Sequence, residues 1–445
     1  MKVVVVGAGM AGLTAVHELR KAGADVVCYE SAGKPGGRVI SARRDGFVMD
    51  MGAQFFFRSY DTCFGIAEEL GLAKDYSTWE FRGGFPNKGR FLPIVASIVP
   101  KDIRNNLGET ISFLLRGGLP YSTILQLLKM LPTLVCRYKD LDLINFERSL
   151  DMDMESITDF TLRKGGRSLV ENFFQSVAST LTLAMPEELS AAYGLGLLWN
   201  MINGLTTFKN GLGCITEGLA EKYTDSIKCG TPVDRIVIEQ GKVKGVEVNG
   251  SLVKADAVVS AVTATKLLDM AQGLPEGISR ALQTVKYSAC CHVIFALPKP
   301  LLPKDWYAIV TPRNTDSLVS GFSDNAVKSP NYAPSGCSQI SCWTYHKYAR
   351  ELNDRTDEEI KKILVKELQR FVPSMPNEPL FMELYRWREA VCVSPPGMLT
   401  AMARMKRDSY RDVKGLYLAG EYLNMPSVES AAYSGVYAAK AALQQ

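Results

Sequence analysis

The sequence predicts an α/β fold, with a nucleotide-binding unit interleaved with an α+β unit that carries a helical cap. Three observations predict it. The chain begins with an apolar run, a glycine loop, a helix-compatible stretch and a second apolar run. It ends with a short strand, another glycine turn and a helix of small residues. Between the ends lie a long helical tract and several alternating, hairpin-like runs.

The first element is the run VVVV at 3–6, read as a buried strand. It leads into Gly7, Ala8, Gly9, Met10, Ala11 and Gly12, then into a helical stretch with Ala11, Ala15 and Leu19 on one face. A second strand at 26–29 ends in Glu30. Each glycine has a task in a dinucleotide site: Gly7 makes the tight turn, Gly9 admits a pyrophosphate to the backbone, and Gly12 lets helix and strand pack closely. The helix N-terminus offers free N–H groups and a positive dipole end to phosphates. Glu30 falls near the ~20-residue offset at which a carboxylate accepts from a ribose hydroxyl. An acid there favours a free 2′-hydroxyl, so NAD or FAD is expected and NADP is not.

Next come Ser31 and the segment Gly36-Gly37-Arg38, then Asp50-Met51-Gly52-Ala53-Gln54. Residues 59–75 read as a helix and turn, 79–93 as a hairpin, and 93–201 as largely helical with Pro and Gly punctuation. A glycine-rich turn and helix follow at 204–223, and a strand begins at 232–236. Gln240-Gly241 and Asn249-Gly250 separate alternating runs, which is a strong hairpin signal. Residues 287–403 return to the second unit, opening on the strand 292–297. The chain closes with the strand 416–418, Gly420, Glu421, and a helix starting near Ser427 and Val428.

The glycine loop with Glu30, the GGR of Gly36–Arg38, and LAGE before a small-residue helix are shared across one group of proteins. By these motifs the chain resembles the flavin amine oxidase superfamily, which includes monoamine and polyamine oxidases, protoporphyrinogen oxidase and phytoene-type desaturases. The resemblance implies a GxGxxG, glutathione-reductase-like FAD domain at 1–85, 204–286 and 404–445, and a substrate domain at 86–203 and 287–403. It implies that backbone at Val233 meets adenine, and that FAD is held without covalent attachment, since Ser430 and its neighbours replace the linking cysteine of some members.

Composition agrees. At 445 residues the chain allows two to three domains, and 47% hydrophobic residues supply ample core. A net charge of +4 gives no reason to invoke nucleic acid. The ten cysteines show no CxxC spacing and read as free thiols of a reducing compartment. Three distant histidines make a metal site an unneeded assumption. No run of 18 apolar residues occurs, and Met1 leads almost directly into the first strand, so a cytoplasmic protein is expected. A homodimer is left open.

Residues 91–141 combine apolar helical runs with a basic fringe: between 88 and 140, eight basic residues face three acidic ones, a local +5. Two readings stand side by side: a helical cap over the substrate cavity, or peripheral contact with an anionic membrane.

In the superfamily the substrate loses a hydride to flavin N5, and oxygen or another acceptor reoxidises the flavin. The lysine that amine oxidases place near N5 aligns with His292, which is either a catalytic group or a strand residue without a part in catalysis. Trp387 matches a family tryptophan, for substrate contact or for packing. The two aromatic cage positions fall on Gly397 and Ser427, and neither is aromatic. The expected activity is therefore dehydrogenation of a largely hydrophobic small-molecule substrate at a carbon–carbon bond. The alternatives are amine oxidation with a non-standard pocket, and a flavoprotein-like binding module that has lost catalysis.

Overall fold

A computed structural model describes residues 1–445 except 80–81, 88–89, 96–118, 312–314, 409–410 and 445. The valines at 3–6 are all but inaccessible, and a strand buried on both faces suits the centre of a parallel sheet. That sheet has five strands, in the order Ile227–Lys228, Asp25–Tyr29, Lys2–Val6, Ala257–Ser260 and Leu416–Leu418. All its neighbours run parallel. Three remote stretches of chain thus build one sheet. Val6 pairs with both Tyr29 and Ser260, and Ser260 with Leu418, so the strands' carboxyl ends finish at one level. In open α/β sheets this edge is where ligands bind.

The helices Met10–Lys21 and Val428–Leu443 cover this sheet and pack on each other. Their contact explains the small residues of the last helix. A Cβ added at Gly435 would stand 2.3 Å from the carbonyl oxygen of Ala11, so the backbones meet directly. The first turn of the last helix has a second task. Glu429 is buried, and its carboxylate accepts from the N–H groups of Thr62 (2.7 Å) and Cys63 (3.0 Å), capping the helix Asp61–Glu69.

The turn signals behave as their chemistry requires. Asn249 and Gly250 both have positive φ, 49° and 71°, and join the antiparallel strands Lys242–Val248 and Ser251–Lys254. The expected hairpin near 79–93 forms from Arg82–Asn87 and Arg90–Val95.

A second, seven-stranded sheet takes the order Phe381–Cys392, Tyr287–Leu297, Ser338–Thr344, Val319–Asp324, Ala308–Val310, Arg82–Asn87 and Arg90–Val95. It is antiparallel except where Ala308–Val310 meets Arg82–Asn87. A small sheet of Phe56–Phe57, Leu205–Phe208 and Tyr76–Trp79 was not expected, because two- and four-residue strands carry too little periodicity. The helical reading of 93–201 holds for Tyr121–Arg137, Ile157–Lys164, Gln175–Thr182 and Ala191–Ile202, while 93–95 is strand and 96–118 lies outside the described residues. Among the described residues no helix is long and apolar enough to cross a membrane.

The Gly435 contact yields a stability test. Gly435→Val should lower the unfolding free energy by about 1–3 kcal/mol through overpacking. Gly33→Ala, whose added Cβ meets nothing within 4 Å, should stay within about 0.5 kcal/mol of the parent. Denaturant titration of both variants checks the pair.

Candidate flavin site

The site begins at the turn after the first strand. Gly7 has φ +98° and donates its N–H to Tyr29 O (2.8 Å), which closes the loop over the second strand. A Cβ at Gly12 would lie 1.8 Å from the oxygen of Gly7, so helix and turn touch main chain to main chain. Gly9 is different. Its backbone is extended, and an added Cβ would meet only the Cα of Gly37, at 3.9 Å. The protein's own packing therefore does not demand glycine at position 9, whereas a phosphate lying on that backbone does. The helix above, beginning with Met10, Ala11 and Gly12, has no side-chain cap and no acid in its first turn. Its amide groups and dipole are free to meet an anion.

Glu30 stands beside this loop, held by the backbone. One carboxylate oxygen accepts from the N–H of Ala8 (2.7 Å); the other accepts from the N–H of Ala32 (2.8 Å) and the hydroxyl of Ser31 (3.2 Å). Val233 follows Thr231, whose N–H donates to the carbonyl of Glu30 (2.8 Å). The Gly36-Gly37-Arg38 segment lies against the glycine loop: Gly36 donates to Ala8 O (2.8 Å) and bridges Gly9. The next motif joins the same surface. Ala53 donates to Arg38 O (2.8 Å), a Cβ at Gly52 would fall 2.0 Å from that oxygen, and Gln54 folds its amide back onto the carbonyls of Asp50 and Gly52.

The far end of the chain arrives through an ion pair. Arg38 and Glu421 stand 2.6 Å apart, and Glu421 is nearly enclosed. The carboxylate and the nearby Tyr287 ring hold the guanidinium in its charged form against the cost of burial. Gly420 donates its N–H to Ser434 Oγ (2.8 Å). Ser427 caps the last helix by accepting from the N–H of Ser430 (3.0 Å), and the buried Tyr60 hydroxyl meets both Ser427 and the backbone of Val428. The structure thus brings the three sequence motifs together at the carboxyl edge of the parallel sheet.

His292 and Trp387 also come together, on a single acceptor. Nδ1 of His292 (2.7 Å) and Nε1 of Trp387 (2.8 Å) both reach the carbonyl oxygen of Met51. A carbonyl only accepts, so the histidine proton is on Nδ1, and Nε2 accepts from the Ser341 hydroxyl (2.6 Å). The ring is stacked on Trp343 and fully enclosed. Both of its nitrogens are engaged by protein.

Sequence reasoning missed the polar centre beneath this loop. Asp50 and Lys328 are both fully buried, 3.4 Å apart. Asp50 also accepts from Ser41 Oγ (2.7 Å), the Leu212 N–H (2.9 Å) and the Tyr332 hydroxyl (2.6 Å), while Lys328 donates to Gln54 (3.1 Å). Burial lowers the lysine to about 8, against the opposing pull of Asp50. Nothing in NAVKSPNY marks this lysine as buried. The carboxylate that calls it inside is 278 residues away.

Burial likewise lowers His292 from 6.5 to about 4, so the folded state binds fewer protons than the unfolded chain between those values. The resulting stabilisation is complete above pH 6.5 and is lost as pH falls through about 4. At 1.36 kcal/mol per unit it amounts to about 3 kcal/mol. His292→Gln should flatten the fall in unfolding free energy over this window relative to the parent; denaturation curves across the range measure it.

Comparison with known proteins agrees with this geometry. The profile of the family described as flavin containing amine oxidoreductase matches residues 10–443. Protoporphyrinogen oxidase 2 of Arabidopsis thaliana is 21% identical over 98% of this chain and 93% of its own length. The 4,4′-diapophytoene desaturase of Staphylococcus haemolyticus is 23% identical over 66% of this chain and 63% of its own length. Among solved structures, a putrescine oxidase bound to putrescine superposes with a TM-score of 0.76 at 16% identity, over 100% of both chains. Cyclohexylamine oxidase from Brevibacterium oxydans does so with a TM-score of 0.73, also at 16% identity, over 100% of this chain and 98% of that one. These structural likenesses show a shared fold. The family match spans nearly the whole chain, and the chain belongs to the flavin-containing amine oxidoreductases, a family of flavin-dependent oxidoreductases.

Proposed function

We propose that the protein binds FAD without covalent attachment and dehydrogenates a largely hydrophobic substrate at a carbon–carbon bond. The nucleotide unit of 1–85, 204–286 and 404–445 would hold the cofactor, and the segments 86–203 and 287–403 the substrate. Bound FAD would supply a hydride acceptor at N5. The chain's own residues bind and orient. Glu30 is a fixed acceptor for ribose hydroxyls, and the amides beyond Gly9 meet the pyrophosphate. His292 and Trp387 act as positioning residues, because their ring N–H groups fix the Met51 carbonyl and neither proton is free for transfer. The mostly buried free thiols fit a reducing, cytoplasmic setting.

The observation that carries the choice of bond is the chemistry at positions 397 and 427. Gly397 has φ +85°, a conformation in which a side chain is strained, and the hydroxyl of Ser427 is committed to a helix amide. Neither position offers a ring to align an amine lone pair. The stacked rings of Tyr385 and Trp387 do not replace such a cage. Their centroids are 5.8 Å apart at 25°, whereas an inserted group needs about 7 Å, two contact distances. A substrate site without such a cage suits an extended or planar apolar substrate, bound through burial at about 25 cal/mol per Å².

Two measurements test this reading. Gly9→Ala should leave the apoprotein within about 0.5 kcal/mol of the parent. The same substitution should weaken FAD binding about 5- to 150-fold, the cost of a methyl in the phosphate's space. Glu30→Ala should weaken it roughly 10- to 150-fold by removing a charge-assisted acceptor. Titration of apoprotein with FAD measures both, and acid precipitation should release all the flavin unmodified.

In anaerobic mixing, polyene, tetrapyrrole or polyketide-like compounds should bleach the flavin, while benzylamine and short aliphatic amines leave it oxidised. Rapid bleaching by simple amines alone would replace this reading with carbon–nitrogen oxidation.

A further inference from the structure

The helix Tyr121–Arg137 is apolar on two opposite faces. One face packs inward through Thr123, Leu127, Met130 and Leu134, and Gln126 fixes the helix by accepting from the Leu169 N–H (2.9 Å). The other face is open. Tyr121, Leu125, Leu128 and Val135 are 75%, 49%, 58% and 60% exposed. Their spacing follows a single helical stripe, where a globular helix ordinarily carries polar residues. A contiguous exposed apolar surface marks a site of interaction.

The charges say with what. The helix contains no Asp or Glu. Lys129 lies beside the stripe, and Lys139, four residues beyond Val135, continues it; both are exposed. The adjoining carboxylates of Asp140 and Asp151 are each 2.7 Å from Arg137, whose charge offsets one of the two, so that with Lys129 and Lys139 this end of the helix keeps a net positive charge. We propose that this face rests on an anionic lipid surface, independently of which bond the enzyme oxidises. The apolar stripe would enter the boundary between headgroups and acyl chains, with the two lysines at the level of the lipid phosphates. Tyr121 opens the stripe and the exposed Tyr138 follows its end, and amphipathic rings of this kind favour the level of the headgroups. With 17 residues the helix is about 25 Å long and lies along such a surface without spanning it. A second copy of the chain is the poorer occupant. Two-fold pairing on this stripe would set basic residues against basic residues with no acid on the helix to answer them.

Flotation of the flavin-loaded protein with phosphatidylcholine vesicles, with and without phosphatidylglycerol, tests the proposal. The protein should float only with the anionic vesicles and be released as salt screens the attraction. Lys129→Gln and Lys139→Gln should each weaken partitioning about fivefold. The double variant Leu128→Glu/Val135→Glu should abolish it with melting temperature and flavin absorbance unchanged, since both side chains are exposed. Absence of flotation at low salt, or undiminished flotation of the double variant, would overturn the proposal. So would a wild-type dimer in sedimentation that the double variant breaks, which would assign the face to a second copy.

Discussion

One guanidinium joins the parts of the molecule that must meet around a cofactor. Arg38 follows the glycine pair after the second strand, and it reaches Glu421 from the last strand–helix unit. It also lies over Tyr287 and points toward the carbonyl of Ala390 (3.4 Å), both on strands of the seven-stranded sheet. Three stretches of chain, remote in sequence from Arg38, thus converge on its planar cation. Such a pair contributes little net stability, because desolvation offsets most of the attraction. Its larger effect is on uniqueness: a register slip in either sheet would leave a nearly enclosed carboxylate without its counter-charge.

The legible part of the sequence was the part whose physics is local. The run of valines at 3–6, the three glycines, Glu30 and the Asn249-Gly250 turn each carry their reason within a few residues. The candidate cofactor residues gather in space because their motifs sit at the ends of strands that the parallel sheet aligns. What could not be read is what depends on a distant partner. Lys328 is indistinguishable from a surface lysine until Asp50 is placed beside it. Glu429 gave no sign that it would cap a helix more than 360 residues earlier. His292 was visible as a histidine on a strand, but its environment is set by Met51 and Ser341.

The shared fold fixes less about substrate than about cofactor. Similar architectures serve putrescine oxidase and cyclohexylamine oxidase, while a protoporphyrinogen oxidase and a diapophytoene desaturase are similar in sequence. This is what grafting different pockets on one scaffold produces. Gly397 and Ser427 belong to a turn and a helix cap, and both are bound by backbone requirements of their own.

The shared acceptor at Met51 has a mechanical consequence. A peptide unit is planar, so clamping the Met51 oxygen with two N–H donors also fixes the direction of the Gly52 N–H on the opposite side of the same plane. A peptide dipole of about 3.5 D is thereby held in one orientation by two aromatic rings. Any group that gains negative charge on the Gly52 side would meet a donor already aimed at it.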